Sequence, residues 1–312
     1  MSALPLVVRV DDAGDLRLLF ERLGLAGARF IVKPNWFCLY PGNYTTAQAL
    51  DLTLAALPGP AVVVESYTAM RHDGSREITS RNGREDWAWL REQDAWFMEI
   101  SGIGEVLRRH GAEYINVTEE VWSGRAVPAA EVAARVEARY GGIDQPELYG
   151  YVPQRLFEWA GNPLISLARL KGGWSLSLKN LFGLIPDPLR SRWHGPKDAD
   201  LARSIININL VYHALFAVFG LVEALTPFAL YGEGGEYHTP WGNYELRPEA
   251  GVVFAGASLP AVDALVARAC GIDPAGLEYL QLAEARLGPW REGLGVEVPT
   301  EVLTALRPPA QG

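Results

Sequence analysis

The sequence predicts an α/β protein of two lobes, each a mainly parallel sheet flanked by helices, with a ligand cleft between them. Three observations lead there. Short apolar runs such as Arg29 to Lys33 (RFIVK) and Ala61 to Glu65 (AVVVE) alternate with helical patterns. A run that is apolar without a polar alternation marks a strand buried on both faces, as in a parallel sheet. The chain has 312 residues, enough for two domains or one large α/β unit. Hydrophobic residues make up 49% and charged residues 21%, the balance of a chain with a substantial core.

Along the chain, Leu4 to Val10 reads as a strand and Asp15 to Leu23 as a helix. RFIVK is a strand ending at Pro34, because proline disfavours helix in the residue before it. Thr46 is placed to cap a helix running to about Leu57. Pro58-Gly59-Pro60 breaks the chain, and AVVVE is the next strand. Arg71 to Arg91 is polar and rich in glycine and arginine, which suggests a surface insertion reaching to about residue 98. Trp87, Trp89, Trp96 and Phe97 would anchor it to the core or cover a cleft. A helix at Ile100 to His110 and a strand at Tyr114 to Val117 follow. Glu119 to Glu158 is helical, with a break at Gly141-Gly142. The expected lobes are residues 1–160 and 161–312. In the second lie a strand at Leu164 to Leu170, a long buried helix at Ala199 to Phe219, and a strand at Val252 to Ala255. Helices follow at Pro260 to Cys270 and Pro274 to Leu287, and the proline-rich tail after Pro299 is expected to be extended.

Composition narrows the functional classes. The net charge of −9 argues against a nucleic-acid partner, which calls for a basic face. Cys38 and Cys270 are the two cysteines, too few for a disulfide framework or for the four ligands of an iron–sulfur cluster in one chain. Low cysteine usage fits a reducing cytoplasm, and MSALPLVVRVDD lacks the basic start of a signal peptide. The most apolar stretch, Ile205 to Leu225, contains Asn207, Asn209, His213 and Glu223. It therefore reads as a buried helix and the strand after it rather than a membrane span. A homo-oligomer stays open.

Lysine usage is the sharper signal. Of 28 basic residues, 24 are arginine, and the lysines are Lys33, Lys171, Lys179 and Lys197. Arginine stays protonated, whereas lysine can release its proton and act as base or nucleophile. Lys33-Pro34-Asn35 ends a strand, where open α/β sheets border their ligand crevice. Asn35 supplies donors and an acceptor there. Thr45-Thr46 opens a helix whose N–H groups favour anions or need only a cap. Glu65-Ser66 ends another strand, and Glu65 is a candidate base, a metal ligand or a turn cap. The segment from Leu164 to Lys197 is the strongest. Between Arg169 and Lys197 stand six cations and one acid, Asp187. Glycines at 172, 173 and 183 allow close backbone approach. Trp174, Leu176, Leu178, Leu181 and Phe182 argue against a fully solvated loop. Such a segment suits a carboxylate or phosphate, with Lys171, Lys179 and His194 as candidate catalytic groups and Asn180 as a binding group. It has neither the Walker nor the dinucleotide glycine spacing. Tyr231 to Trp241 (YGEGGEYHTPW) carries Glu233, Glu236 and His238, so a divalent metal is possible there, without a specific ligand spacing. Asp263, in the first turn of an apolar helix, answers either to the helix dipole or to the site.

In this order, VKPN, TT, VVVES, SLKNLFGLIPD with a following histidine, and AGASLPAVDALVARACGIDP resemble the domain of unknown function 362 family over most of the chain. The resemblance brings no general activity with it. Many members carry ferredoxin-like cysteine clusters, which this chain lacks. Members often have Lys-x-His after the strand preceding SLKN, whereas Lys171 is followed by Gly172-Gly173-Trp174. Where members tend to have aspartate after the long helix, this chain has Glu223. A shorter similarity, through Lys179 and His194, is to the nickel-pincer lactate racemase family.

The resulting expectation is an enzyme acting on a small anionic substrate between the lobes. Lys33, Lys179 and Asn180 would hold the anion, Lys171 or His194 would move protons, and Glu65 or Asp263 would set their charge. Asn35, Thr45, Thr46 and Ser66 complete the expected binding set. The alternatives are a non-catalytic metabolite or cofactor binding protein, and a scaffold using the Trp87 to Trp96 region as its interface.

Overall fold

The computed structural model describes residues 4–79, 83–172 and 176–307; Gly173 and Trp174 lie outside them. Ten strands are described: β1 (Leu6–Arg9), β2 (Phe30–Pro34), β3 (Ala61–Glu65), β4 (Glu113–Asn116), β5 (Pro163–Arg169), β6 (Ala217–Ala224), β7 (Phe228–Tyr231), β8 (Tyr237–Thr239), β9 (Gly242–Arg247) and β10 (Val252–Gly256). Seven form one sheet in the order β1-β10-β6-β5-β2-β3-β4. From β6 to β4 the pairs are parallel, and β10 pairs antiparallel with both β6 and β1. The chain is α/β, as its apolar runs predict. The boundary expected at residue 160 falls inside this sheet, since β5 pairs with β2 along Lys33↔Ser166.

The continuous apolar runs have a direct cause. Successive side chains of a strand point to opposite faces, and both faces are covered here. Ile31, Val62 and Val64 pack into a layer with Val132, Val136, Ile205 and Ile208. Phe30, Val32 and Val63 pack into the opposite layer with Leu16, Leu19, Leu50 and Val106. The helix Ala47–Ala56 is capped as expected, Ala49 N–H donating to Thr46 Oγ1 at 3.2 Å.

Three expectations are revised. The helix of the long apolar stretch, Leu201–Leu215, ends before Phe216, whose backbone is extended, and residues from Ala217 enter β6 between β5 and β10. The stretch 71–98 is not merely a surface insertion. It holds the helix Trp87–Ile100, and Arg71 and Asp94 are both buried because they pair with each other. Its tryptophans turn inward: Trp89 is buried, and Trp87 stacks edge-on against Trp122. The tail contains a helix, Thr300–Leu306, which buries Val302 and Leu306 against the helix Leu259–Ala269. The segment around YGEGGEYHTPW is ordered as a small antiparallel sheet, β7-β9-β8. No helix among the described residues is long and apolar enough to cross a membrane.

Candidate functional site

The parallel block is wound outward from its middle. From β2 the chain proceeds to β3 and β4 on one side, then returns to β5 and β6 on the other. The loops after β2 and β5 therefore diverge, which opens a crevice at the carboxyl ends of these strands. A cavity of about 840 Å³ lies there, lined by Lys33, Asn35, Glu65, Lys171, Lys179, Asn180 and His194 among others. Three segments far apart in sequence, after β2, after β3 and after β5, are thus brought to one place.

At the end of β2, Lys33 is 1% exposed. Its Nζ donates to Glu65 Oε2 at 2.8 Å, to the Pro34 carbonyl at 2.7 Å and to Asn180 Oδ1 at 3.4 Å. Glu65, suggested by sequence as a base, is here the counterion of Lys33. Its Oε2 also accepts from Trp36 N–H at 3.1 Å, and its Oε1 from Ser66 N–H at 3.0 Å. Burial draws the Lys33 ammonium down to about 8, with Glu65 opposing that fall and Arg190 and Arg71 adding to it.

Asn180 binds the segments together. Its Nδ2 donates to the Lys33 carbonyl at 2.8 Å and to Ser166 Oγ at 3.1 Å. Asn35 Nδ2 donates to Asn180 Oδ1 at 3.4 Å, and Asn35 Oδ1 accepts from Lys171 Nζ at 3.1 Å. Lys171 also donates to the Asn43 carbonyl at 3.3 Å, and burial lowers its pKa. Lys179, half-buried in the helix Ser177–Leu181, is lowered to about 8 by burial and by Lys171, against Asp198. His194 ends the short helix Ser191–His194. It pairs through Nδ1 with Asp198 Oδ1 at 2.7 Å and packs edge-on against Phe182 at 5.4 Å.

Four expected binding residues do not line the cavity. Thr45 Oγ1 accepts from Asn35 N–H at 2.9 Å and so fixes the loop after β2. Thr46 serves as the helix cap. Ser66 is fully buried, and its hydroxyl has no partner among the described residues. Asp263, also fully buried, reaches across from the helix Leu259–Ala269 to the start of the SLKN helix. It accepts from Ser177 N–H at 2.8 Å, Ser177 Oγ at 2.5 Å and Leu178 N–H at 3.0 Å. A helix start leaves these N–H groups unsatisfied, so Asp263 positions Lys179 and Asn180. Burial raises its carboxyl to about 7.

The cationic segment divides. Arg169 is structural, fully buried and paired with Glu223 at 2.5 Å. Arg192 and Lys197 are exposed. Arg190, counted in the sequence as one of six cations but given no role, lines the cavity and is 4% exposed. Its φ of +53° is unusual for a residue with a Cβ. Its Nη2 donates to the Tyr67 carbonyl at 3.2 Å and the Gly183 carbonyl at 2.9 Å. Trp241, at the tip of the β8–β9 hairpin, is a second lining residue that pattern alone did not single out. Glu233, Glu236 and His238 are exposed. Among the described residues no three histidine, cysteine, aspartate or glutamate side chains group as a metal site.

Residues 31–268 match the model of a family described as Domain of unknown function (DUF362). No curated protein and no solved structure matches the chain.

Proposed function

We propose, for a chain that belongs to the domain of unknown function 362 family, an enzyme that binds a small carboxylate or phosphate at the carboxyl ends of β2 and β5 and moves a proton on it. One observation carries this reading: Lys33, at the end of β2, and Lys171, Lys179 and Arg190, from the segment after β5, line the same cavity. Cations in a partly desolvated site attract an anion far more strongly than they would in water. Lys33 is paired with Glu65, and Lys171, Lys179 and Arg190 line the same cavity and would face an incoming charge. A lysine held at about 8 exchanges its proton near neutral pH. Lys179 in its neutral form would take a proton from the carbon beside a carboxylate. The negative charge that then develops would sit among Lys171 and Arg190. Isomerisation and racemisation of an acid both proceed through that step.

The test needs no prior substrate. Small carboxylates and phosphates are titrated into the purified protein, and binders are followed by proton NMR in deuterium oxide for exchange at the carbon beside the acid group. Lys179→Arg should abolish exchange, because a guanidinium stays charged, while the exposed control Lys197→Arg should behave as wild type. Binding without exchange would make the chain a non-catalytic binding protein. No binding by any acid would dispose of the anion site itself.

A further inference from the structure

The cavity is much larger than its cationic floor requires. At about 840 Å³ it falls toward the upper end of the roughly 300–1,000 Å³ that enclose drug-sized ligands. A two- or three-carbon acid would leave most of it unfilled. Its two regions also differ in chemistry. Lys33, Asn35, Lys171, Asn180 and Arg190 gather at the strand ends. The rest of the lining includes the apolar Phe182, Leu189, Leu201, Ile205, Trp241 and Leu277, with His194, Asp198 and Glu278 among its polar members. This wall is firmly held. Ile205 belongs to the main core. Trp241 packs against Phe37 at 5.6 Å and Tyr40 at 5.5 Å, and its Nε1 donates to the Tyr231 hydroxyl at 2.6 Å. That hydroxyl donates in turn to Asn43 Oδ1 at 2.7 Å, and the Asn43 carbonyl accepts from Lys171. The aromatic cap and the cationic floor are therefore parts of one connected structure. The floor also keeps a donor in reserve. Arg190 Nε is buried without a partner among the described residues, on a residue held in the left-handed backbone region.

We infer that the ligand is an amphipathic acid: a carboxylate or phosphate head seated on Lys171, Lys179 and Arg190, and an extended apolar body lying along the wall from Phe182 to Trp241. The inference rests on the anion-site reading above and adds the ligand's size and polarity. Apolar lining surface is stabilised by removal from water, and a small hydrophilic acid would leave it wet.

The experiment is a calorimetric titration of the wild-type protein with two homologous series. One runs from inorganic phosphate through butyl, hexyl and octyl phosphate. The other runs from acetate through butanoate, hexanoate and octanoate. 1-Octanol and octylammonium serve as head-group controls. Affinity should rise about fourfold per buried methylene until the wall is covered, and the controls should bind at least about tenfold more weakly than the matched acid. The series that binds more tightly identifies the head. Trp241→Ala and Leu277→Ser, both at half-buried positions, should flatten the dependence on chain length, weakening the octyl acids by a larger factor than inorganic phosphate or acetate. Lys179→Met should weaken every anion by a similar factor. A flat series, in which inorganic phosphate or acetate binds as tightly as the octyl acid, would overturn the inference and leave the anion site standing. Octanol binding as tightly as octyl phosphate, or no acid binding at all, would overturn both.

Discussion

Replacing Gly183 by alanine should damage the site from above. Gly183 follows the SLKN helix and lies directly over the Lys33–Glu65 pair. A Cβ there would stand 2.8 Å from Lys33 Nζ, 2.9 Å from Glu65 Oε1 and 3.1 Å from Lys33 Cε. Neither partner can step aside freely. Lys33 Nζ is held by the Pro34 carbonyl and Asn180 as well as by Glu65. Glu65 is held by the N–H groups of Trp36 and Ser66. Overpacking of this kind costs about 1–3 kcal/mol. Against it stands a gain of about 0.4–1 kcal/mol from the stiffer unfolded chain, because Gly183 has no positive φ. The net expectation is a loss of about 1–2 kcal/mol, approaching the roughly 3–5 kcal/mol of a broken buried pair if the ions are forced apart. Urea unfolding reads this as a lower midpoint at unchanged slope. Gly150→Ala is the control, since nothing lies within 4 Å of its added Cβ. If Gly183→Ala proved as stable as Gly150→Ala, the pair would not be sealed beneath this helix and the close approach would carry no weight.

Two further substitutions probe the buried charges. Asp263 keeps its proton to about pH 7 in the folded protein, while an unfolded chain releases it near pH 3.9. The folded state thus holds the extra proton between those values, and stability should fall by about 4 kcal/mol as pH rises across the window, then level off. Asp263→Asn should remove that slope, and urea unfolding with the same slope from pH 4 to 7 in both proteins would contradict it. Glu65→Gln leaves Lys33 without its counterion, a loss of about 3–5 kcal/mol that should be greater at pH 6 than at pH 9, where the ammonium can shed its proton. Equal losses at the two pH values would mean that Lys33 is not the group left exposed to the deficit.

How much of this was legible in the sequence depends on whether the cause was local. β2, β3 and β5 were readable because both faces of each strand are buried, which keeps Phe30 to Val32, Ala61 to Val64 and Pro163 to Ile165 free of polar residues. The helix after Thr46 was readable because its cap is a contact three residues long. Lys33 and Asn180 hydrogen-bond across 147 positions; what suggested them was the rarity of lysine and the place of each segment after an apolar strand. The end of the Leu201–Leu215 helix was not readable, because the apolar run continues unbroken through Phe216 into β6, and periodicity cannot separate a buried helix from a buried strand. Asp263 looked like a dipole partner for its own helix, whereas the N–H groups it satisfies belong to another helix about 85 positions earlier. Arg190 was hidden among 24 arginines. Its burial depends on the carbonyls of Tyr67 and Gly183, which only the tertiary fold delivers.

The buried lysines are better explained by a ligand than by stability. Lys33 sits at about 8, against about 10.4 for a lysine in an unfolded chain, so its charged form is disfavoured by about 3 kcal/mol on folding. That deficit is present in full below pH 8 and disappears only as pH rises toward 10.4. A methionine of similar length would avoid it, and well-packed apolar replacements of buried ion pairs are often neutral or stabilising. Lys171 and Lys179 are lowered in the same sense, each by burial first, and Lys171 adds to the lowering of Lys179. The fold thus gathers cations whose charged forms penalise one another, beneath an arginine with a strained backbone. Residues that break the local rules of stability together, in one cavity at a strand switch point, are those whose compensation comes from outside the chain. An anion among them would relieve the repulsion and stabilise the folded protein in a single binding event.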